Sequence, residues 1–78
     1  MASDAYAELA PDWDALPLYV TWYAIDADGT GRYRDYEPYI SYEERRWYGI
    51  AFSGHTKINL PFGVDWQRCK WQRPEVAP

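Results

Sequence analysis

The sequence predicts a small α+β domain, in which one helix covers an antiparallel sheet of three to four strands. Residues 18–25 alternate apolar with amphipathic side chains, as a half-buried strand does, and an Asp-Gly pair follows them as a hairpin turn signal. Residues 41–44 read Ser-Tyr-Glu-Glu, the pattern of a helix capping box. With 78 residues, the chain is expected to form one compact domain over residues 1–78.

The hairpin is the best-defined element of this prediction. Residues 18–25 are rich in β-branched and aromatic side chains, which suit a pleated surface, and their even positions form the dry face. The Asp-Gly pair tolerates the positive φ angles that a type I′ turn requires. The return strand is predicted over residues 30–37, with Arg32 and Arg34 on one face and Tyr33 on the other.

A calcium loop is the alternative interpretation of this region. Residues 26–37 resemble the twelve-residue loop of the EF-hand family, which supplies hard oxygen ligands around a glycine at the sharp turn. The matching residues are Asp26, Asp28, Thr30, Gly31 and Glu37. We favour the hairpin because β-branched and aromatic residues are mediocre helix formers, and because Pro38 stands where the exiting helix should run. We therefore expect neither a metal nor another cofactor.

The covering helix is predicted over residues 42–53, after the capping box. Gly54 would close it at the C-terminal left-handed position. Gly49 opposes this prediction, since an internal glycine costs a helix roughly 1 kcal/mol relative to alanine. The alternative is a strand over residues 46–52.

Shorter elements complete the predicted fold. A helical turn is expected over residues 2–10, with Ser3 as its N-cap. Residues 56–60 and 64–71 are predicted as strands, joined by a Pro-Phe-Gly turn. Residues 74–78 are expected to form a frayed tail.

Charge and aromatic content indicate a binding surface. Residues 1–44 contain ten acids and two bases, whereas residues 45–78 contain six bases and two acids. This asymmetry predicts an acidic surface that steers toward a basic partner, unless the two halves interleave in the fold and neutralise each other. The chain also has five tryptophans, eight tyrosines and two phenylalanines, too many for one small interior. Those left at the surface are expected to be either binding hot spots or amphipathic rim residues of the small core.

No catalytic motif is present, and we expect the protein not to be an enzyme. One cysteine and one histidine, Cys69 and His55, cannot build a zinc site, which needs about four ligands. The sequence contains no glycine-rich phosphate loop and no Walker lysine. The acidic N-terminus resembles no signal peptide, so we expect a cytoplasmic protein without membrane contact.

In size, acidity and lack of catalytic residues, the chain resembles the small, mostly acidic anti-CRISPR proteins of phages and other mobile elements. This resemblance concerns the profile of the whole chain. It implies a protein-binding inhibitor in the cytoplasm of a bacterial host, whose acidic surface occupies a basic, nucleic-acid-recognising surface of a CRISPR effector complex. The residues predicted to bind the partner are Asp26, Asp28, Asp35, Glu37, Glu43 and Glu44, with Tyr36 and Tyr39 as anchors.

A second function is predicted from the C-terminal strand, where bases alternate with aromatic residues. This composition is typical of proteins that stack nucleobases and follow a phosphate backbone. The alternative is therefore a small nucleic-acid-binding accessory protein. Its contact residues would be Trp66, Arg68, Lys70, Trp71 and Arg73.

Overall fold

The computed structural model describes residues 4–75, which form an α+β domain as predicted. A four-stranded antiparallel sheet has the strand order β5-β2-β1-β6, and β3 pairs with β4 in a separate two-stranded sheet. The elements in chain order are α1 (Ala5–Leu9), a first 3-10 turn (Trp13–Ala15), β1 (Trp22–Ile25), β2 (Thr30–Arg34), β3 (Tyr39–Ser41), β4 (Arg46–Tyr48), β5 (His55–Lys57), a second 3-10 turn (Trp66–Arg68) and β6 (Lys70–Gln72).

The predicted hairpin is confirmed as β1 and β2, which are shorter than the predicted strands over residues 18–25 and 30–37. Its turn also differs from the predicted type I′. The Gly29 N–H donates to the Asp26 carbonyl at 2.9 Å, and Gly29 alone in this turn has a positive φ, of 88°. This is a three-residue loop, in which a left-handed glycine follows the turn. The Asp28 side chain accepts a hydrogen bond from the Thr30 N–H at 2.9 Å, which holds Asp28 at a negative φ.

Both faces of the four-stranded sheet are covered, so β1 has no solvated face. On one face, Tyr23 and Ile25 form a buried cluster with Cys69, against which Tyr6 and Leu9 of the N-terminal helix pack. The prediction of a single dry face at even positions is therefore wrong. It failed because the odd positions Tyr23 and Ile25, predicted to form the mixed face, are buried as well.

The second buried cluster joins the two sheets. Ala24 packs there with Trp47 and Trp66, whose rings meet edge to face with their centroids 6.2 Å apart. The Trp47 indole N–H also donates to the Ile25 carbonyl at 3.0 Å. Trp47 thus fastens the two-stranded sheet onto β1 through both packing and a buried hydrogen bond. The predicted faces of β2 are correct, because Arg34 lies on this side and Tyr33 packs on the other.

The predicted covering helix over residues 42–53 is wrong. The capping interaction does form, since the Glu44 N–H donates to the Ser41 hydroxyl at 3.3 Å. Arg45 then adopts a left-handed φ of 57°, and the chain reverses into β4. Gly49 has a φ of 130°, which no helix accommodates. The alternative strand is correct for residues 46–48 only.

The short N-terminal helix is confirmed. It begins after Asp4, whose side chain accepts from the Tyr6 N–H at 2.9 Å, while the predicted cap Ser3 lies outside the described residues. Within residues 4–75, no helix has the length and apolarity needed to cross a membrane.

The last predicted strands are displaced. β5 overlaps in sequence with only the first two residues of the strand predicted over 56–60. Residues 66–68 form a 3-10 turn, because the Asp65 side chain caps it by accepting from the Gln67 N–H. The final strand, β6, therefore starts only at Lys70. Residues 74–75 have no regular structure, and the rest of the predicted tail lies outside the described residues.

Candidate functional site

Three exposed tyrosines stand on the β3–β4 hairpin and on the loop that leads into it. Tyr36 is 73 % exposed, Tyr39 65 % and Tyr42 67 %, which is high for aromatic side chains. Exposed carboxylates flank them on both sides. We call this set the tyrosine–carboxylate surface: Asp35, Tyr36, Tyr39, Tyr42, Glu43 and Glu44.

The alternation of β3 turns this surface outward. Ile40 packs toward the second buried cluster, directly across from Trp47, so its neighbour Tyr39 projects to the opposite face. There Tyr39 lies nearly parallel to Tyr48, at 5.9 Å between ring centroids and 16° between planes. The Arg46 guanidinium stands over the Tyr48 ring at 5.0 Å. The outer face of the hairpin is therefore a row of stacked planar groups.

The carboxylates of this surface remain available to a partner. Asp35, Glu43 and Glu44 are exposed, and none of them forms an ion pair with another residue of the described chain, 4–75. The loop is held in place through its backbone, because the Thr21 hydroxyl donates to the Asp35 carbonyl at 2.8 Å. The contact uses the Asp35 carbonyl, so the Asp35 carboxylate stays free for electrostatic steering.

Asp26 does not belong to this surface, which corrects the sequence-based prediction. It is 5 % exposed and accepts hydrogen bonds from the Trp47 N–H at 2.7 Å and from the Arg32 guanidinium at 2.8 Å. Its carboxylate holds β4 against the end of β1, so its role lies in the fold. A buried carboxylate needs such partners, and no local sequence pattern indicates Trp47 or Arg32 in that role.

Asp28 and Glu37 are exposed but paired. Asp28 lies 3.4 Å from the Lys57 ammonium, and Glu37 lies 2.9 Å from Lys70. The hydrogen bond from the Thr30 N–H lowers the pKa of Asp28. These ion pairs join acids of the first half to bases of the second half. The two halves therefore interleave, and these ion pairs remove Asp28 and Glu37 from the predicted acidic patch.

Comparison with known protein families, curated proteins and solved structures finds no match to this chain.

The C-terminal residues of the alternative function all have partners within the fold. Trp66 is buried, Arg68 covers the Tyr6 ring at 4.3 Å, and Trp71 stacks on Tyr23 at 5.7 Å. Lys70 is paired with Glu37 as described above. The Arg73 guanidinium donates to four main-chain carbonyls, those of Trp13, Leu16, Pro17 and Val20. Few free cations are left on this strand to follow a phosphate backbone.

The calcium-loop geometry is absent from this region. Thr30 and Gly31 lie in β2 and pair with neighbouring strands, so residues 26–37 are not the loop between two helices. Among residues 4–75, no three His, Cys, Asp or Glu side chains are grouped closely enough to hold a metal ion.

A cleft of about 470 Å³ separates the β1–β2 turn from the β3–β4 turn. Its charged lining consists of three acids and three arginines: Asp26, Asp28, Glu44, Arg32, Arg45 and Arg46. The balanced charges favour neither an anion nor a cation. The cleft nevertheless places Glu44, and with it one end of the tyrosine–carboxylate surface, beside the β1–β2 turn.

Arg34 is a buried residue whose role the sequence did not predict. It is 1 % exposed, and its guanidinium donates to the Trp47 carbonyl at 3.1 Å and to the Arg32 carbonyl at 3.4 Å. Burial lowers the pKa of Arg34, while the negative charge of Asp26 opposes this shift. Arg34 and Asp26 thus form a polar centre between the two sheets.

Proposed function

We propose that this protein is a non-enzymatic, protein-binding inhibitor that uses the tyrosine–carboxylate surface to occupy a basic, nucleic-acid-recognising surface of a larger partner. One observation carries the proposal. Three tyrosines that are 65–73 % exposed lie within residues 36–42, beside three carboxylates without ion pairs in the described chain. Tyrosine is enriched among the residues that dominate binding energy, and exposed carboxylates steer a basic partner.

The partner that we propose first is a CRISPR effector complex, on the basis of the profile that the chain shares with anti-CRISPR proteins. Such complexes hold nucleic acid in positively charged channels. Carboxylates on a folded surface present negative charge to the same lysines and arginines that bind phosphates. Binding of this kind weakens as salt is raised.

The direct test is a mobility-shift assay of target DNA with purified CRISPR effector complexes. We expect the protein to reduce the fraction of DNA bound, and the double variant Asp35→Lys, Glu43→Lys to inhibit at least about tenfold less well, because each reversal replaces attraction by repulsion. A matched control is Glu8→Lys with Asp14→Lys, since both acids are exposed but lie outside the surface. Equal inhibition by the two double variants would contradict the assigned surface, and a lack of inhibition across effector types would contradict the assigned partner.

The same gels test the alternative function. Labelled single-stranded and double-stranded DNA, mixed with this protein alone, should show no shift if the inhibitor proposal is correct. A shift that Lys70→Ala abolishes would favour the nucleic-acid-binding accessory protein instead.

A further inference from the structure

The chain repeatedly places its own arginines on aromatic rings. The guanidinium carbons of three of its six arginines lie over such rings: Arg46 on Tyr48 at 5.0 Å, Arg68 on Tyr6 at 4.3 Å and Arg73 on Trp13 at 5.7 Å. Energetically significant contacts of this type occur roughly once per 70–80 residues in proteins. Lys70 likewise lies over the rings of Trp22 and Trp47, at 5.7 and 5.4 Å. These contacts show that cations pack readily on aromatic rings in this fold, although none of the rings belongs to the tyrosine–carboxylate surface.

The rings of the tyrosine–carboxylate surface have no such cation. Within residues 4–75, no lysine or arginine lies over Tyr36, Tyr39 or Tyr42. Tyr39 extends the row that starts with Arg46 and Tyr48, and it is still 65 % exposed. The row therefore ends at the exposed Tyr39 ring, on which one more planar group can stack.

The negative charge around these rings favours a cation as the planar group that stacks on Tyr39. Of the four acids in residues 35–44, Glu37 is paired with Lys70, whereas Asp35, Glu43 and Glu44 form no ion pair within residues 4–75. Arg45 and Arg46 follow this segment directly, but neither lies over its three tyrosine rings. A planar guanidinium is more weakly hydrated than an ammonium, stacks on aromatic faces and binds carboxylates through a fork of donors. A lysine satisfies the charge but stacks less well and stays strongly hydrated.

We infer that the tyrosine–carboxylate surface recognises arginine side chains of its partner in preference to lysine, by stacking a guanidinium on Tyr39 beside the carboxylates of the hairpin. This inference rests on the proposed function, and it names the chemistry of the partner's contact residues. A partner surface rich in arginine should therefore bind, whereas an equally charged surface of lysines should bind more weakly.

Two fluorescein-labelled peptides of equal charge, octa-arginine and octa-lysine, test this inference in a fluorescence anisotropy titration of the full chain. We expect the arginine peptide to bind about fivefold more tightly, the ratio that corresponds to about 1 kcal/mol for a cation–aromatic contact at an exposed site. Tyr39→Leu should bring the two affinities within about twofold, while Tyr39→Phe, which keeps the ring, should retain the preference.

Matched variants guard against loss of folding. Tyr19 is 62 % exposed and packs on Phe52, away from this surface, so Tyr19→Leu should leave the preference unchanged. If Tyr39→Leu fails to fold, Tyr42→Leu in the hairpin turn takes its place and should reduce the preference.

The outcomes separate the inference from the proposed function. Equal binding of the two peptides by the wild-type chain, weakened for both by Glu43→Gln with Glu44→Gln, would overturn the preference for arginine and leave the inhibitor proposal standing. Failure of both peptides to bind at low ionic strength would count against the proposed function as well. A preference that persists in Tyr39→Leu and in Tyr42→Leu would exclude the stacking mechanism.

Discussion

Replacement of Asp26 by alanine should strongly lower the free energy of unfolding. The Asp26 carboxylate accepts from the Trp47 N–H at 2.7 Å and from the Arg32 guanidinium at 2.8 Å. Its negative charge also favours the charged form of the buried Arg34, against the lowering of the Arg34 pKa by burial. Its removal leaves a buried N–H without an acceptor and two arginines without a countercharge.

The expected loss follows from these contacts. A hydrogen bond to a charged group contributes about 1.5–3 kcal/mol, and removing one partner of a buried ion pair costs about 3–5 kcal/mol. Since Arg32 is one-third exposed, solvent recovers part of that loss, and we expect a decrease of about 3–4 kcal/mol in the free energy of unfolding. A domain of this size has roughly 4–12 kcal/mol in total.

Urea denaturation followed by tryptophan fluorescence measures this change. Asp26→Asn should lose only about 1–2 kcal/mol, because the amide oxygen can still accept from the Trp47 N–H. Glu37→Ala is the matched control, since its ion pair with Lys70 lies at the surface and should be worth at most about 1 kcal/mol. A loss below about 1 kcal/mol for Asp26→Ala would refute the role assigned to this carboxylate.

Three further changes are predicted. Gly29→Ala should destabilise the fold by about 3 kcal/mol or more, because φ is 88° and the new Cβ would collide with the Ile58 carbonyl, whereas Gly63→Ala, with a φ of 86° and open space, should cost about 1 kcal/mol. Arg73→Lys should cost about 2 kcal/mol, since an ammonium cannot reach the same set of carbonyls, and hydrogen exchange of residues 13–20 should speed up. Stability should fall as pH rises from about 8.5 toward 11, because burial raises the pKa of Cys69 to about 11 while the unfolded thiol ionises near 8.5.

Each of these predictions has its own contradicting result. Equal losses for the two glycine variants would show that the backbone angle, and not the collision, sets the cost. Unchanged exchange rates in Arg73→Lys would mean that its carbonyl contacts do not order the N-terminal segment. The alkaline loss should be smaller in Cys69→Ala, in which the buried Tyr23, whose pKa is also raised by burial, still titrates. An identical slope in the wild type and in this variant would exclude a contribution from the thiol.

The parts of the fold that follow from adjacent residues were predictable from the sequence. The β1–β2 hairpin needs only a β-rich run and a glycine that tolerates left-handed geometry. The N-terminal helix was predictable as an element, but its cap is Asp4 and not the predicted Ser3. The exposure of Tyr36 and Tyr39 agrees with the excess of aromatic residues over the capacity of a small core.

The parts that depend on distant contacts were not predictable. A capping box describes only one turn of chain. In this protein that turn belongs to the β3–β4 hairpin, in which Trp47 is buried beside Ala24. The burial of Asp26 depends in the same way on Trp47 and Arg32, whose positions no local pattern fixes.

The strand order explains why the surviving candidate site is the β3–β4 hairpin. β2 pairs with β5 and β1 pairs with β6, which brings Lys57 beside Asp28, while Lys70 of β6 reaches Glu37. The charges of the first half that lie next to the four-stranded sheet are thereby neutralised. β3 and β4 pair only with each other, and Glu43 and Glu44, which follow β3 in the turn of this hairpin, form no ion pair with a base of the C-terminal strands within residues 4–75. We propose that a basic partner supplies the missing positive charge, and for this reason we place the binding surface on this hairpin.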